Sequence, residues 1–146
     1  MAGEKIEGIM RDCLKALAAK DIDKVLSYYT EDGDWTTSEG VFKGKTELRR
    51  YLKWMADTVK DPTVTVCGNG IVVDGSRAFV EHKIGGTING KKVEYLAMCA
   101  WEFVGDKVQH TRTTGDRLLL AKQAVNGWFP KMIVNSIISQ SEKGLH

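Results

Sequence analysis

The sequence predicts an α+β fold, a curved and mostly antiparallel sheet wrapped around three N-terminal helices, with a further helix at the C-terminus. Residues 16 to 52, ALAAKDIDKVLSYYTEDGDWTTSEGVFKGKTELRRYL, pass from helical to strand-like patterning and back within one short span. Beyond Pro62 the apolar period drops to two, over long segments joined at Asp74-Gly75, Asn89-Gly90 and Gly105-Asp106. After Asp116 helical character returns. Elements in that order build a sheet that encloses a pocket.

Each element has a local reason. Ile6, Ile9, Met10, Cys13, Leu14 and Leu17 recur at steps of three and four and give the first helix one apolar face. Asp21 can cap a second, shorter helix with Ile22, Val25, Leu26 and Tyr29 as its stripe, ended by Glu31-Asp32-Gly33. A strand follows from about Asp34 to Ser38, and Glu39-Gly40 turns it into Val41-Phe42-Lys43. Thr46 is the expected cap of a third helix that buries Leu48, Tyr51, Leu52, Met55 and Val59 and stops at Pro62.

The glycine turns then delimit strands near 63 to 73, 76 to 88, 91 to 104 and 107 to 115. Strands that long must curl, and Gly68, Gly70, Gly85 and Gly86 fall where bulges and bends would curl them. Residues 117 to 146 form a helical extension, with Pro130 in the first turn of the last helix. Its many apolar residues leave three readings open: a helix packed on its own domain, a lid, or a contact with a second subunit.

Composition narrows the function classes. The 146 residues, 42% hydrophobic and 27% charged, suit one domain spanning 1–146. Basic and acidic residues number 21 and 19 and are interspersed, which gives nucleic acid no stripe to bind. Cys13, Cys67 and Cys99 are odd in number and lie in apolar segments, as buried thiols of a reducing compartment do. The N-terminal stretch mixes both charge signs where a signal peptide needs an apolar run, and no segment approaches a membrane span, so a cytoplasmic protein is expected. His82, His110 and His146 are far apart and no Cys or His pair has zinc-ligand spacing, so neither a metal nor a cofactor is expected.

The pieces ALAAKDIDKVLSYYTEDGDW, FKGKTELRRYL and AWEFVGDKVQHTRTTGD resemble the SnoaL-like branch of the NTF2-like superfamily over roughly residues 6 to 118. That branch includes ketosteroid isomerases, limonene epoxide hydrolases and polyketide cyclases, and the resemblance implies a cone-shaped fold. Carried over by residue, the ketosteroid isomerase tyrosine falls on Cys13, its base on Thr37 and its oxyanion-stabilising acid on Cys99. A hydroxyl cannot replace a carboxylate base, so ordinary ketosteroid isomerisation is disfavoured. The epoxide hydrolase Arg-x-Asp pair falls on His82 and Ile84, its water-positioning tyrosine and asparagine on Trp35 and Thr37, and its last aspartate on Asp116. The polyketide cyclase aspartate also falls on Asp116.

The resemblance therefore implies His82 and Asp116 as an acid–base pair facing each other inside the cone. Strand alternation puts Ala78, Val80 and Ile84 on the same face as His82, Tyr95, Ala97, Cys99 and Trp101 on one face, and His110, Arg112, Thr114 and Asp116 on another. Tyr28, Trp35, Thr37, Cys99, Trp101 and Arg112 are the expected ligand-binding residues. Each has a plainer reading beside it. Asp116 can be the N-cap of the helix from Arg117, His82 a neutral histidine inside a sheet, and the tryptophans core filling. The expected function is cofactor-independent acid–base chemistry on a hydrophobic small molecule, as an isomerase, cyclase, dehydratase or epoxide hydrolase, or else binding without turnover. Apolar residues on both faces of the long strands, Leu96, Met98 and Ala100 opposite Cys99 and Trp101, predict a homodimer through the outer face of the sheet.

Overall fold

The computed structural model describes residues 2–145; Met1 and His146 lie outside it. The first helix, α1, spans Ala2–Ala18, and α2 spans Ile22–Ser27. The periodic stripe of α1 is its buried face: Ile6, Met10, Cys13 and Leu14 are in the core, with Ile9 and Leu17 packed against it. Asp21 caps α2 by accepting from the Lys24 amide at 3.0 Å, which satisfies one of the donors a helix start leaves unpaired.

Contrary to the helical pattern, Tyr29 belongs to the first strand, β1 (Tyr29–Thr37), and α2 ends before it. The cause is tertiary. Tyr29 is buried with its hydroxyl 2.8 Å from Thr111 Oγ1, a partner far along the chain that local periodicity does not reveal. β2 (Gly40–Lys43) folds back on β1, and α3 (Gly44–Thr58) follows directly. Thr46 is not its cap: the helix begins two residues earlier, where the Glu47 carboxylate accepts from the Lys43 amide at 2.9 Å. Leu48, Tyr51 and Leu52 are the buried face of α3, as their spacing predicts.

β3 (Lys60–Asp74), β4 (Arg77–Ile88), β5 (Lys91–Val104) and β6 (Lys107–Gly115) form the long meander. The six strands lie in the order β2-β1-β6-β5-β4-β3, and β1 runs parallel to β6. Asn89-Gly90 makes its hairpin turn with both φ positive. The preceding hairpin closes on Gly75-Ser76, one residue later than expected, because Asp74 still pairs with Arg77. Pro62 sits inside β3, an edge strand that tolerates a missing amide, and does not mark the end of α3. Gly68 and Gly70, both at positive φ, occupy the register shift between Val66 and Ile71, where a side chain at Gly68 would strike the Glu81 carboxylate. That is the bulge expected from sequence.

α4 (Arg117–Ala124) packs on β5, and α5 (Trp128–Ser141) follows it. Neither helix buries a residue, and α5 leaves Trp128, Phe129, Met132, Ile133 and Ile137 exposed. Among the described residues no helix is long and apolar enough to cross a membrane.

Candidate functional site

A cavity of about 330 Å³ lies between the inner face of the sheet and the helices. Leu14 and Leu17 of α1, Val25 of α2, Leu52 and Met55 of α3, and Leu120 and Ala124 of α4 close it with apolar side chains. The volume falls in the range of small-molecule sites. Trp35 and Thr37 line it from β1, His82 and Ile84 from β4, and Tyr95, Cys99 and Trp101 from β5. Strand alternation thus places the inward residues of these strands as expected.

His82 is the imidazole of the cavity and is 2% exposed. Burial disfavours its charged form and holds its pKa below the ordinary value, an effect the Val80 backbone only partly offsets. The ring is therefore neutral near pH 7, and its Nδ1 has no hydrogen-bond partner among the described residues. Cys99 is different. Its Sγ lies 3.0 Å from Thr113 Oγ1, which also accepts from Trp35 Nε1 at 2.8 Å. Burial pushes the Cys99 thiol up to about 11, which favours its protonated form in the cavity lining. Trp35 stands edge-on to Tyr51, with centroids 5.6 Å apart, and fixes one wall.

The structure does not bring His82 and Asp116 together. Asp116 is exposed, lies outside the cavity lining, and caps α4 by accepting from the Leu119 amide at 2.8 Å. Arg112 also departs from expectation: it points from the outer face and donates to the Glu102 carboxylate at 2.5 Å. On that face His110 Nδ1 meets Asp34 at 2.8 Å. The reason is one residue in β6. Phe103 pairs with Val108 but Glu102 pairs with His110, so Gln109 is an extra residue that reverses the alternation beyond it. Thr111, Thr113 and Gly115 consequently face inward. Tyr28 is half-buried outside the cavity, with the Lys24 ammonium 5.2 Å over its ring.

Four lining residues carry polar tips although their local pattern points to other tasks. Tyr51 was a stripe residue of α3, Tyr95 an inward strand residue, Glu39 part of a turn and Arg117 a helix start. Arg117 Nη2 and the Glu39 carboxylate are 2.6 Å apart at the cavity wall. Burial would raise the Glu39 carboxyl, but Thr37, its own backbone and Arg117 together hold it below the ordinary range. Burial, reinforced by the Glu39 charge, pushes the Tyr51 phenol up to about 12, and burial raises Tyr95 as well. The available signal was a polar-tipped aromatic inside each otherwise apolar stripe.

Residues 10–111 match the family of SnoaL-like domains. The chain belongs to that family. No curated protein matches it in sequence. Solved structures share the fold of this SnoaL-like domain. An NTF2-like protein of unknown function from Burkholderia pseudomallei K96243 is 15% identical with a TM-score of 0.76, over 84% of this chain and 98% of its own. An LEH-like epoxide hydrolase from M. tuberculosis is 16% identical with a TM-score of 0.73, over 95% of this chain and 100% of its own. A protein with a ketosteroid isomerase-like fold from Catenulispora acidiphila DSM 44928, solved with trimethylamine, is 13% identical with a TM-score of 0.73, covering 80% of this chain and 91% of its own. At these identities the likeness is one of fold.

Proposed function

We propose that this SnoaL-like domain takes an apolar, ring-containing small molecule into its cone and acts on it by cofactor-independent acid–base chemistry, with His82 moving the proton. The observation that carries this reading is His82 itself, a buried residue of the cavity lining whose Nδ1 has no hydrogen-bond partner among the described residues. A neutral imidazole is a base at physiological pH, and an apolar surround keeps it so. Isomerisation, cyclisation, dehydration and epoxide hydrolysis all fit such a group, and the fold is shared with the M. tuberculosis epoxide hydrolase. The second reading, binding without turnover, is favoured by one observation: Asp116 is occupied as a helix cap, leaving His82 without that carboxylate beside it.

A thermal-shift screen tests the proposal. Hydrophobic cyclic compounds should raise the melting temperature by mass action, by about 2.7 kcal/mol of stability at a hundredfold excess over Kd. A ligand so found is then incubated with wild type and with His82→Gln. Retained binding with lost turnover supports the enzyme, and no turnover by wild type supports the binding module. If cyclic compounds have no effect while nucleotides or divalent metals stabilise the protein, both readings fall.

We further infer a homodimer through the outer face of the sheet. Val72, Phe79, Leu96 and Met98 stand exposed on the strands there, and an apolar sheet face of this kind favours a covering partner.

A further inference from the structure

At the α4 side of the cavity, four polar side chains from four separate segments converge: Glu39 after β1, Tyr51 of α3, Tyr95 of β5 and Arg117 of α4. They are close enough that Glu39 and Arg117 each influence the ionisation of both tyrosines. The cluster also adjoins His82. Tyr95 pairs with Ile84 and His82 with Ala97, so the two are diagonal neighbours on the inner face, with backbones about 7–8 Å apart. One ligand of modest size would touch both.

Charge and donor accounting decides what that ligand presents. Glu39 and Arg117 neutralise each other across 2.6 Å. Burial keeps both phenols protonated, so each remains an O–H donor. Thr37 lies within hydrogen-bonding reach of the Tyr51 hydroxyl, and Tyr95 stands half-buried on the same cavity lining. The cluster therefore offers donors without net charge. Because Glu39 and Arg117 already neutralise each other, a charged ligand finds no net opposite charge here to offset the loss of its hydration in an apolar cavity.

We infer that Tyr51 and Tyr95, backed by the Glu39–Arg117 pair, form a specificity subsite for an uncharged acceptor oxygen, a ketone- or ester-type carbonyl, on the bound ring compound. This rests on the proposed ring-binding cavity, and the test separates the two. Acetylnaphthalene, ethylnaphthalene, naphthoate and naphthylmethylamine share one ring system and differ in the group they offer. Calorimetric titration of each into the wild-type protein should show the ketone binding ~10-fold tighter than the hydrocarbon, the worth of about one net hydrogen bond, with both charged probes weaker than the ketone.

The Tyr51→Phe, Tyr95→Phe double variant should bind ketone and hydrocarbon alike, with the hydrocarbon affinity unchanged as the check that the cavity is intact. Tyr95→Phe alone, at a half-buried position, should give an intermediate preference. Equal affinity of ketone and hydrocarbon in wild type, tightest binding of either charged probe, or equal weakening of both neutral probes in the double variant overturns the subsite while leaving the cavity reading intact. If none of the four binds, the cavity reading falls, and the subsite with it.

Discussion

The properties of His82 follow from where strand alternation puts it. A charged imidazole at 2% exposure loses its hydration and gains no carboxylate in return, so the neutral form is favoured on folding. The folded pKa lies below the 6.5 of the unfolded chain, and the unfolded chain therefore binds more protons between those two values. Stability is unaffected by this group above 6.5 and is lost as pH falls from 6.5 toward the folded value. Urea denaturation between about pH 8 and pH 5.5 should show a midpoint that drops on acidification in wild type and drops less in His82→Gln. Parallel profiles for the two proteins would mean that the imidazole is not desolvated.

Among the elements, α4 shows how one side chain can be visible in a sequence with two tasks and perform only one of them in the fold. Asp116 stood as either base or cap, and the Leu119 amide takes its carboxylate. Asp116→Ala should destabilise the protein by about 1 kcal/mol, whereas Asp116→Asn, which keeps the acceptor oxygen, should change stability by only a few tenths. Chemical denaturation with amide exchange across α4 measures this, and an asparagine variant as damaged as the alanine one would refute the cap. The strands divide the same way. On β4 and β5 alternation runs without interruption, so the inward set from Ala78 to Ile84 and from Tyr95 to Trp101 could be read from sequence. β6 breaks its own alternation at Gln109, a residue whose side chain carries no mark of a bulge, and so Arg112 was placed on the wrong face. Tyr29 and Thr46 were misplaced because a distant hydroxyl and a neighbouring carboxylate outweighed local pattern.

At the scale of the whole molecule, the fold was legible because periodicity, turn chemistry and element order all pointed to one architecture. The polar side of the cavity was not. Glu39, Tyr51, Tyr95 and Arg117 are far apart in sequence and meet only once the sheet has curled around the helices. The outer face carries the remaining prediction. Sedimentation of wild type at micromolar concentration should show a dimer, and Phe79→Glu with Leu96→Glu, both at positions exposed in the protomer, should give a folded monomer. A wild-type monomer would remove the proposed interface.

The extra residue in β6 has a consequence for how this cavity can change. A substitution at Thr111 or Thr113 alters one letter on the wall, but drawing Gln109 into the ladder opposite Glu102, which abolishes the bulge, would shift the phase of the strand beyond it. Hydroxyls would exchange places with the His110 imidazole and the Arg112 guanidinium, and a neutral wall would become a basic one. Whether the residue at this one position is bulged or paired therefore decides which half of the strand lines the cavity, so the same β6 sequence can present either hydroxyls or basic groups to a ligand.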